Sequence, residues 1–399
     1  MNITFLIGNG FDLNLGLKTS YKDFYKYYIN KEPKDFIAKN IDSNYELWAD
    51  LELGLGYFLK NCTKKDIDTY LSSKLLLEDH LTEYLINENS RIAYLSEEKT
   101  GKELAEFLKS IDSDFSEKDK AHYKALINNS SFINYKFITF NYTDVLDRIV
   151  SFAKSYLKPF LRHNYNGTLK EDNVDLPLHI NGDLDDGLIL GIDNKLQICN
   201  TDLQNETSLT KYIIKEQLNT ELGNRNISKA KDIIDKSKII CLFGLSIGDT
   251  DNYWWHYLMQ WILKDSANRL VIFVKDNSKV SKSASSVVLY RDKKRTEFSN
   301  HNKSLSSAQK NIILDRIIIV RNSDIFSFKN ITLNKNKTEI YKNDILNCIK
   351  THNPASINDI KSNTPFSIST IRKYLKELEN EEIITFEYGT HKKKLYKLT

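Results

Sequence analysis

Five short, almost wholly apolar runs recur along this chain: Ile3-Thr4-Phe5-Leu6-Ile7, Phe137-Ile138-Thr139-Phe140, Ile239-Ile240-Cys241-Leu242-Phe243, Leu270-Val271-Ile272-Phe273-Val274 and Ile317-Ile318-Ile319-Val320. A strand with one wet face alternates apolar and polar side chains. Runs without alternation belong in a parallel sheet covered on both faces. Shorter strand signals stand at Leu178-His179-Ile180 and Ile189-Leu190. Helical spacing at Asp144 to Tyr156, Leu209 to Leu218, Ser228 to Lys236 and Tyr253 to Leu263 supplies the covering layers. This alternation predicts an α/β fold, a Rossmann-like doubly wound parallel sheet.

A chain of 399 residues exceeds one ordinary compact domain. The α/β domain is assigned to residues 1–330, with an all-helical insertion at about 33–130 carrying stretches such as Leu71 to Ile86 and Lys102 to Ile111. Asp276 to Lys310 is rich in Ser, Lys, Asn and Arg with little periodicity and reads as a loop. Residues 340–399 read as a winged helix-turn-helix domain. There Ile345 and Ile349 mark one helix, Ser356 caps a second, and Ile368, Ile371, Leu375 and Leu378 give the apolar stripe of a third. That stripe leaves Arg372, Lys373 and Lys376 exposed, as on a recognition helix, before a hairpin whose second arm begins Lys392-Lys393-Lys394. Such a module contacts nucleic acid, or docks a phage or defence component or a second copy of the chain, and the sequence leaves these open. A homo-oligomer is the expected assembly.

Four polar turns follow strand signals. Gly8-Asn9-Gly10-Phe11-Asp12 comes straight after the first strand, where glycines allow the backbone to approach a phosphate and the next helix offers free N–H groups. The alternative is a turn that needs glycine for its own conformation. In Thr139-Phe140-Asn141-Tyr142-Thr143-Asp144, Thr143 or Asp144 is a candidate N-cap, and Asn141 is placed to hold a ribose hydroxyl or a water. His179-Ile180-Asn181-Gly182-Asp183 offers a histidine among carboxylates, a general base or a structural ring. Phe243-Gly244-Leu245-Ser246-Ile247-Gly248-Asp249-Thr250-Asp251 offers a glycine-serine loop for a sugar or base, or simply a capped turn. Strand carboxyl ends are where open α/β sheets gather a ligand, so the four turns together predict one nucleotide crevice.

These blocks resemble those of the AbiH family of bacteriophage abortive-infection proteins. Leu6 to Leu13 with Gly16 to Phe24 is similar to the family's opening, and Trp48-Ala49-Asp50-Leu51-Glu52, Thr139 to Asp144, and Gly244-Leu245-Ser246 with Asp249 and Asp251 resemble its later blocks. Their order also resembles that of sirtuin-like domains. That resemblance implies NAD as ligand or substrate, Asn141 near the nicotinamide ribose and a histidine base. The chain departs from it where Thr143 replaces an Asp and Asn181 replaces the catalytic His, with His179 two residues earlier as the candidate in its place. The implied activity is NAD glycohydrolysis in an anti-phage effector, with Gly8, Asn9, Gly10, Asp12, Asn181, Gly244, Ser246, Asp249 and Asp251 around the cofactor. The competing reading is a non-catalytic, nucleotide-responsive DNA-binding regulator.

Composition narrows the remaining classes. The 57 basic and 53 acidic residues leave a net charge of +4, so no global field is available to hold nucleic acid and any such contact is local. Cys62, Cys199, Cys241 and Cys348 lack the paired spacing of a zinc site or a disulfide framework, so reduced thiols and no metal are expected. With no apolar run of membrane-spanning length and no secretory signal, the expected compartment is the cytoplasm.

Overall fold

The computed structural model describes residues 1–42, 51–156, 161–223, 225–276, 283–333, 337–364, 366–381, 383–389 and 394–398. The chain divides into two compact units, Met1–Thr332 and Leu333–Thr399. The fold of the first is mixed α/β around a parallel sheet. Its long strands are β1 (Asn2–Ile7), β2 (Asn134–Thr139), β3 (Ser237–Phe243), β4 (Arg269–Val274) and β5 (Ile317–Arg321), in spatial order β5-β4-β3-β1-β2. The short strands Asn173–Val174 and Leu178–His179 pair in parallel with β2. All six residues of β1 are buried, as a strand without alternation demands.

Strand β1 is the centre of the site's geometry. Ile7 stands level with Thr139 of β2 on one side and with Phe243 of β3 on the other. The chain runs from β1 to β2 on one side, then returns to β3 on the other. The order therefore reverses at β1, and the carboxyl ends of β1, β2 and β3 finish side by side.

The turns after β1 and β3 are packed into one another. Gly8 N–H donates to Phe243 O at 2.9 Å and Gly10 N–H to Gly244 O at 2.8 Å. Gly244 has φ +69°, and a Cβ there would lie 2.6 Å from Phe11 N; one on Gly10 would lie 2.5 Å from Gly244 Cα. Glycine is required because two backbones touch. The expectation of free N–H groups for a phosphate is corrected on this point: Gly8, Gly10 and Phe11 N–H all bond within the protein, and the helix that follows, Gly10–Asn14, has only five residues.

The insertion is mainly helical, with one short strand at Ile92–Tyr94. Its longest helix, Ile67–Asn89, buries Tyr70, Lys74, Leu77, Leu81, Leu85 and Glu88 at steps of three and four, a single inward stripe. The predicted helix Leu209 to Leu218 is two, Thr207–Ile213 and Lys215–Glu221, divided at extended Ile214. The predicted loop Asp276 to Lys310 contains a helix, Ala284–Ser299, and the start of another, Ser307–Asp315. Capping by Ser283 and a Ser306–Gln309 capping box start these helices. The first buries only Phe298 and Ser299, so it carries no apolar period by which to recognise it.

The second unit has helices Lys337–Thr351, Ile357–Asn363 and Ile368–Asn380, and a three-stranded antiparallel sheet of Ala355–Ser356, Lys394–Leu398 and Ile384–Tyr388 in that order. Ile345, Ile349, Ile360, Ile371, Leu375 and Leu378 form its core. Tyr374 is buried there, whereas Ile368, expected on the inner stripe, is 41% exposed at the start of its helix.

The interlocked turns make a direct prediction. Gly244→Ala should destabilise the first unit by at least about 2 kcal/mol, through the strained φ and the clash with Phe11 N. All four tryptophans lie between residues 48 and 261, so the thermal transition of tryptophan fluorescence isolates that unit. An unshifted transition would contradict the close approach.

Candidate functional site

A crevice with about 140 Å³ of space open to water lies at the carboxyl ends of β1, β2 and β3. It is lined by Gly8, Asn9, Asp12, Asn141, Asn181, Gly244, Ser246 and Asp251 of the residues singled out from sequence. Gly10, His179 and Asp249 are not among its lining residues. Gly10 serves the turn, and Asp249 is exposed, its carboxylate 3.5 Å from His301 Nδ1.

Asn9 owes its place to the loop behind it. Its amide donates to Thr19 O at 3.0 Å and accepts the Thr19 hydroxyl at 2.5 Å. Lys18 N–H in turn donates to Glu88, and Tyr84 to Lys18 O, which ties the loop to helix Ile67–Asn89. The same helix sends Leu81 and Leu85 to the crevice wall, and helix Leu51–Tyr57 sends Glu52. Thus the insertion braces the first turn and closes the site.

Among the described residues that line the crevice, Asp12 and Asn141 carry buried polar atoms without a hydrogen-bond partner. Asp12 is 1% exposed and Asn141 7%. Thr143 donates its hydroxyl to Asp12 Oδ2 at 2.6 Å, but Asp12 Oδ1 and both ends of the Asn141 amide have no hydrogen-bond partner. Thr143 therefore binds a carboxylate rather than capping the following helix. Burial pushes the Asp12 carboxyl up to about 6, against the opposing pull of the Thr143 hydroxyl and of the Asn141 amide, which favours the carboxylate from nearby without completing a hydrogen bond to it. Orphaned buried polar atoms carry a desolvation penalty that a ligand relieves.

His179 has no free ring nitrogen. Nδ1 lies 3.0 Å from Asn141 O and Nε2 2.9 Å from the Asp147 carboxylate. Both partners only accept, so both nitrogens donate. Burial alone would lower the ring's pKa, but the Asp147 carboxylate and the Asn141 carbonyl outweigh it and raise it. The ring holds the Asn141 backbone in place. Asn181 Nδ2 reaches Phe140 O at 3.4 Å, a weak contact.

Sequence reasoning missed the second charged feature. Lys215 Nζ lies 2.6 Å from Glu52 and 3.4 Å from Asp251, and both carboxylates line the crevice. Burial would lower the Lys215 pKa, but Asp251 and Glu52 hold it above the ordinary ammonium range. Glu52 stood in a recognised block; nothing local marked Lys215 as its partner 163 residues away.

A model of the family described as Bacteriophage abortive infection AbiH matches residues 4–273. The chain belongs to this family. The AbiH match contains every residue of the crevice, and the second unit lies beyond it. No curated protein matches the chain.

In the second unit, Arg372, Lys373 and Lys376 are exposed on helix Ile368–Asn380. Lys394 lies 3.5 Å over the Phe386 ring and 3.6 Å from Glu379. Lys392 and Lys393 fall outside the described residues, as do Trp48, Ala49 and Asp50. No described helix is long and apolar enough to cross a membrane.

Asp12 implies a pH dependence of stability. Its carboxyl is raised from 3.8 to about 6, so the folded protein holds that proton more tightly than the unfolded chain. The resulting stabilisation is fully present below pH 3.8 and is lost as pH rises through about 6. Asp12→Asn removes this term. The variant should therefore gain up to about 3 kcal/mol relative to wild type on going from pH 4 to pH 7, read from urea unfolding at both values. A constant difference would place Asp12 in water.

Proposed function

We propose that the protein is an anti-phage effector, acting in the cytoplasm, that binds NAD or a related adenine nucleotide in this crevice and hydrolyses its N-glycosidic bond. The observation that carries the reading is the pair of unsatisfied buried groups, Asp12 Oδ1 and the Asn141 amide, facing one crevice where the strand order reverses. Rossmann-like sheets keep nucleotides at that position, and the sirtuin-like order of the polar blocks points to NAD. Hydroxyl groups of a ribose match what the two residues lack: a donor for the carboxylate, and a group that both donates and accepts for the amide.

In this reading Asn141 orients a ribose hydroxyl or the attacking water, and Asp12 takes the proton. Water oxygen bonds to the anomeric carbon, the bond to the pyridinium nitrogen breaks, and that nitrogen receives the electron pair and leaves neutral. A carboxyl near 6 is a serviceable base at neutral pH. The base role read for His179 passes to Asp12, because the imidazole has no lone pair to offer. His179 positions Asn141.

The second unit supports a winged-helix reading, three helices with a three-stranded sheet, in which Arg372, Lys373 and Lys376 meet duplex phosphates. Its contribution would be sensing or regulation.

Two experiments test these proposals. Calorimetry should detect NAD binding, and Asn141→Ala and Asp12→Asn should each lower NAD turnover on the order of a hundredfold or more and remove toxicity in cells. Binding without turnover in the wild type would favour the regulator reading; unimpaired turnover in both variants would exclude these residues. For the second unit, neutralising Arg372, Lys373 and Lys376 together should weaken duplex binding and flatten its salt dependence by roughly one unit per lost contact. If duplexes fail to bind at low salt and deletion of residues 340–399 changes the oligomeric mass, the unit is an assembly module.

A further inference from the structure

The charge of the crevice says which end of a nucleotide it can take. Its charged lining side chains among the described residues, Asp12, Glu52 and Asp251, are all acidic. The cation beside them, Lys215, is shared between Glu52 and Asp251 and is only 12% exposed. One ammonium thus serves two carboxylates, and the positive charge that Asp12 feels comes from His179, whose two N–H groups are already given to Asn141 O and Asp147.

The first glycine turn offers a phosphate little of its backbone. The N–H groups of Gly8, Gly10 and Phe11 are engaged within the turn, and the helix behind it is a single short turn and a half. A pyrophosphate placed among these carboxylates would meet like charge. What the site lacks is different. Asp12 Oδ1 needs a donor or a positive charge, and the Asn141 amide needs a hydroxyl-like group. Leu81, Leu85, Phe140 and Tyr142 add an apolar wall suited to a flat ring.

Resting on the nucleotide reading above, we propose that the group the crevice admits is a phosphate-free N-riboside whose base carries positive charge, with any phosphates of the substrate left outside. Recognition comes from the sugar hydroxyls and the cation. The phosphates then contribute little to affinity, and a riboside without them is a ligand in its own right.

The test is calorimetric titration of the full chain with three probes: nicotinamide riboside, its neutral 1,4-dihydro form, and NAD. The riboside should bind within roughly tenfold of NAD, and at least about tenfold more tightly than the neutral form, a preference that Asp12→Asn should reduce. If NAD binds and the riboside does not, phosphates supply the affinity: this inference falls and the nucleotide reading stands. If the riboside binds and NAD does not, the inference stands and the dinucleotide reading falls. Equal binding of charged and neutral ribosides would overturn the charge selection. If neither riboside nor NAD binds while tryptophan fluorescence shows a folded first unit, both proposals fall.

Discussion

Two glycine turns share one space at the middle of the sheet, and the rest of the site depends on that contact. Gly10 and Gly244 approach so closely that a single Cβ on either would overlap the other backbone. Because Gly8 and Gly10 donate to Phe243 O and Gly244 O, the ends of β1 and β3 are held as one rigid edge. Asp12, two residues beyond Gly10, is carried by that edge to the Thr143 hydroxyl of the neighbouring β2 turn. A phosphate-binding loop must leave its N–H groups open. Here those of Gly8, Gly10 and Phe11 are taken up within the protein, while Asp12 and Asn141 keep unmatched side-chain atoms.

Those side chains are placed under strain of a particular kind. The fold buries a carboxylate with one hydrogen bond and an amide with none, at positions where an apolar pair would pack more favourably. Such a debt persists where a ligand discharges it, and it is held in place by bracing from outside the sheet. His179 fixes the Asn141 backbone while Asp147 fixes His179, and helix Ile67–Asn89 holds Lys18, whose neighbour Thr19 holds Asn9. Lys215 performs the same service for Glu52 and Asp251, which also line the crevice. Residues that bring unmatched polar atoms to the crevice are few; those that hold them form a wider shell.

Much of this was legible in the sequence because it was local. Unbroken apolar runs marked the parallel strands, and glycine and asparagine turns after them marked the carboxyl edge, where Asn141 and Asp12 do stand. The helix Ala284–Ser299 was hidden because it buries only two residues, so hydrophobic periodicity had nothing to register, and its start depends on a serine cap within a serine-rich stretch. The role of His179 was hidden for another reason. A ring nitrogen's availability is a property of what it faces, and Asp147 lies 32 residues away.

The sequence by itself determined the class of the fold, the positions of the polar turns and the types of group they carry, since each follows from the period and chemistry of neighbouring residues. Only the tertiary structure decided which groups remain without partners. Gly8 and Gly10 lost their N–H groups to a strand end and turn more than 230 residues distant, His179 lost both nitrogens, and Lys215 was divided between two carboxylates. Of the described crevice residues, Asp12 and Asn141 were left over. Hydrogen bonds and ion pairs depend on distances of about 3 Å, and those distances between remote segments exist only once the sheet has brought its strand ends together.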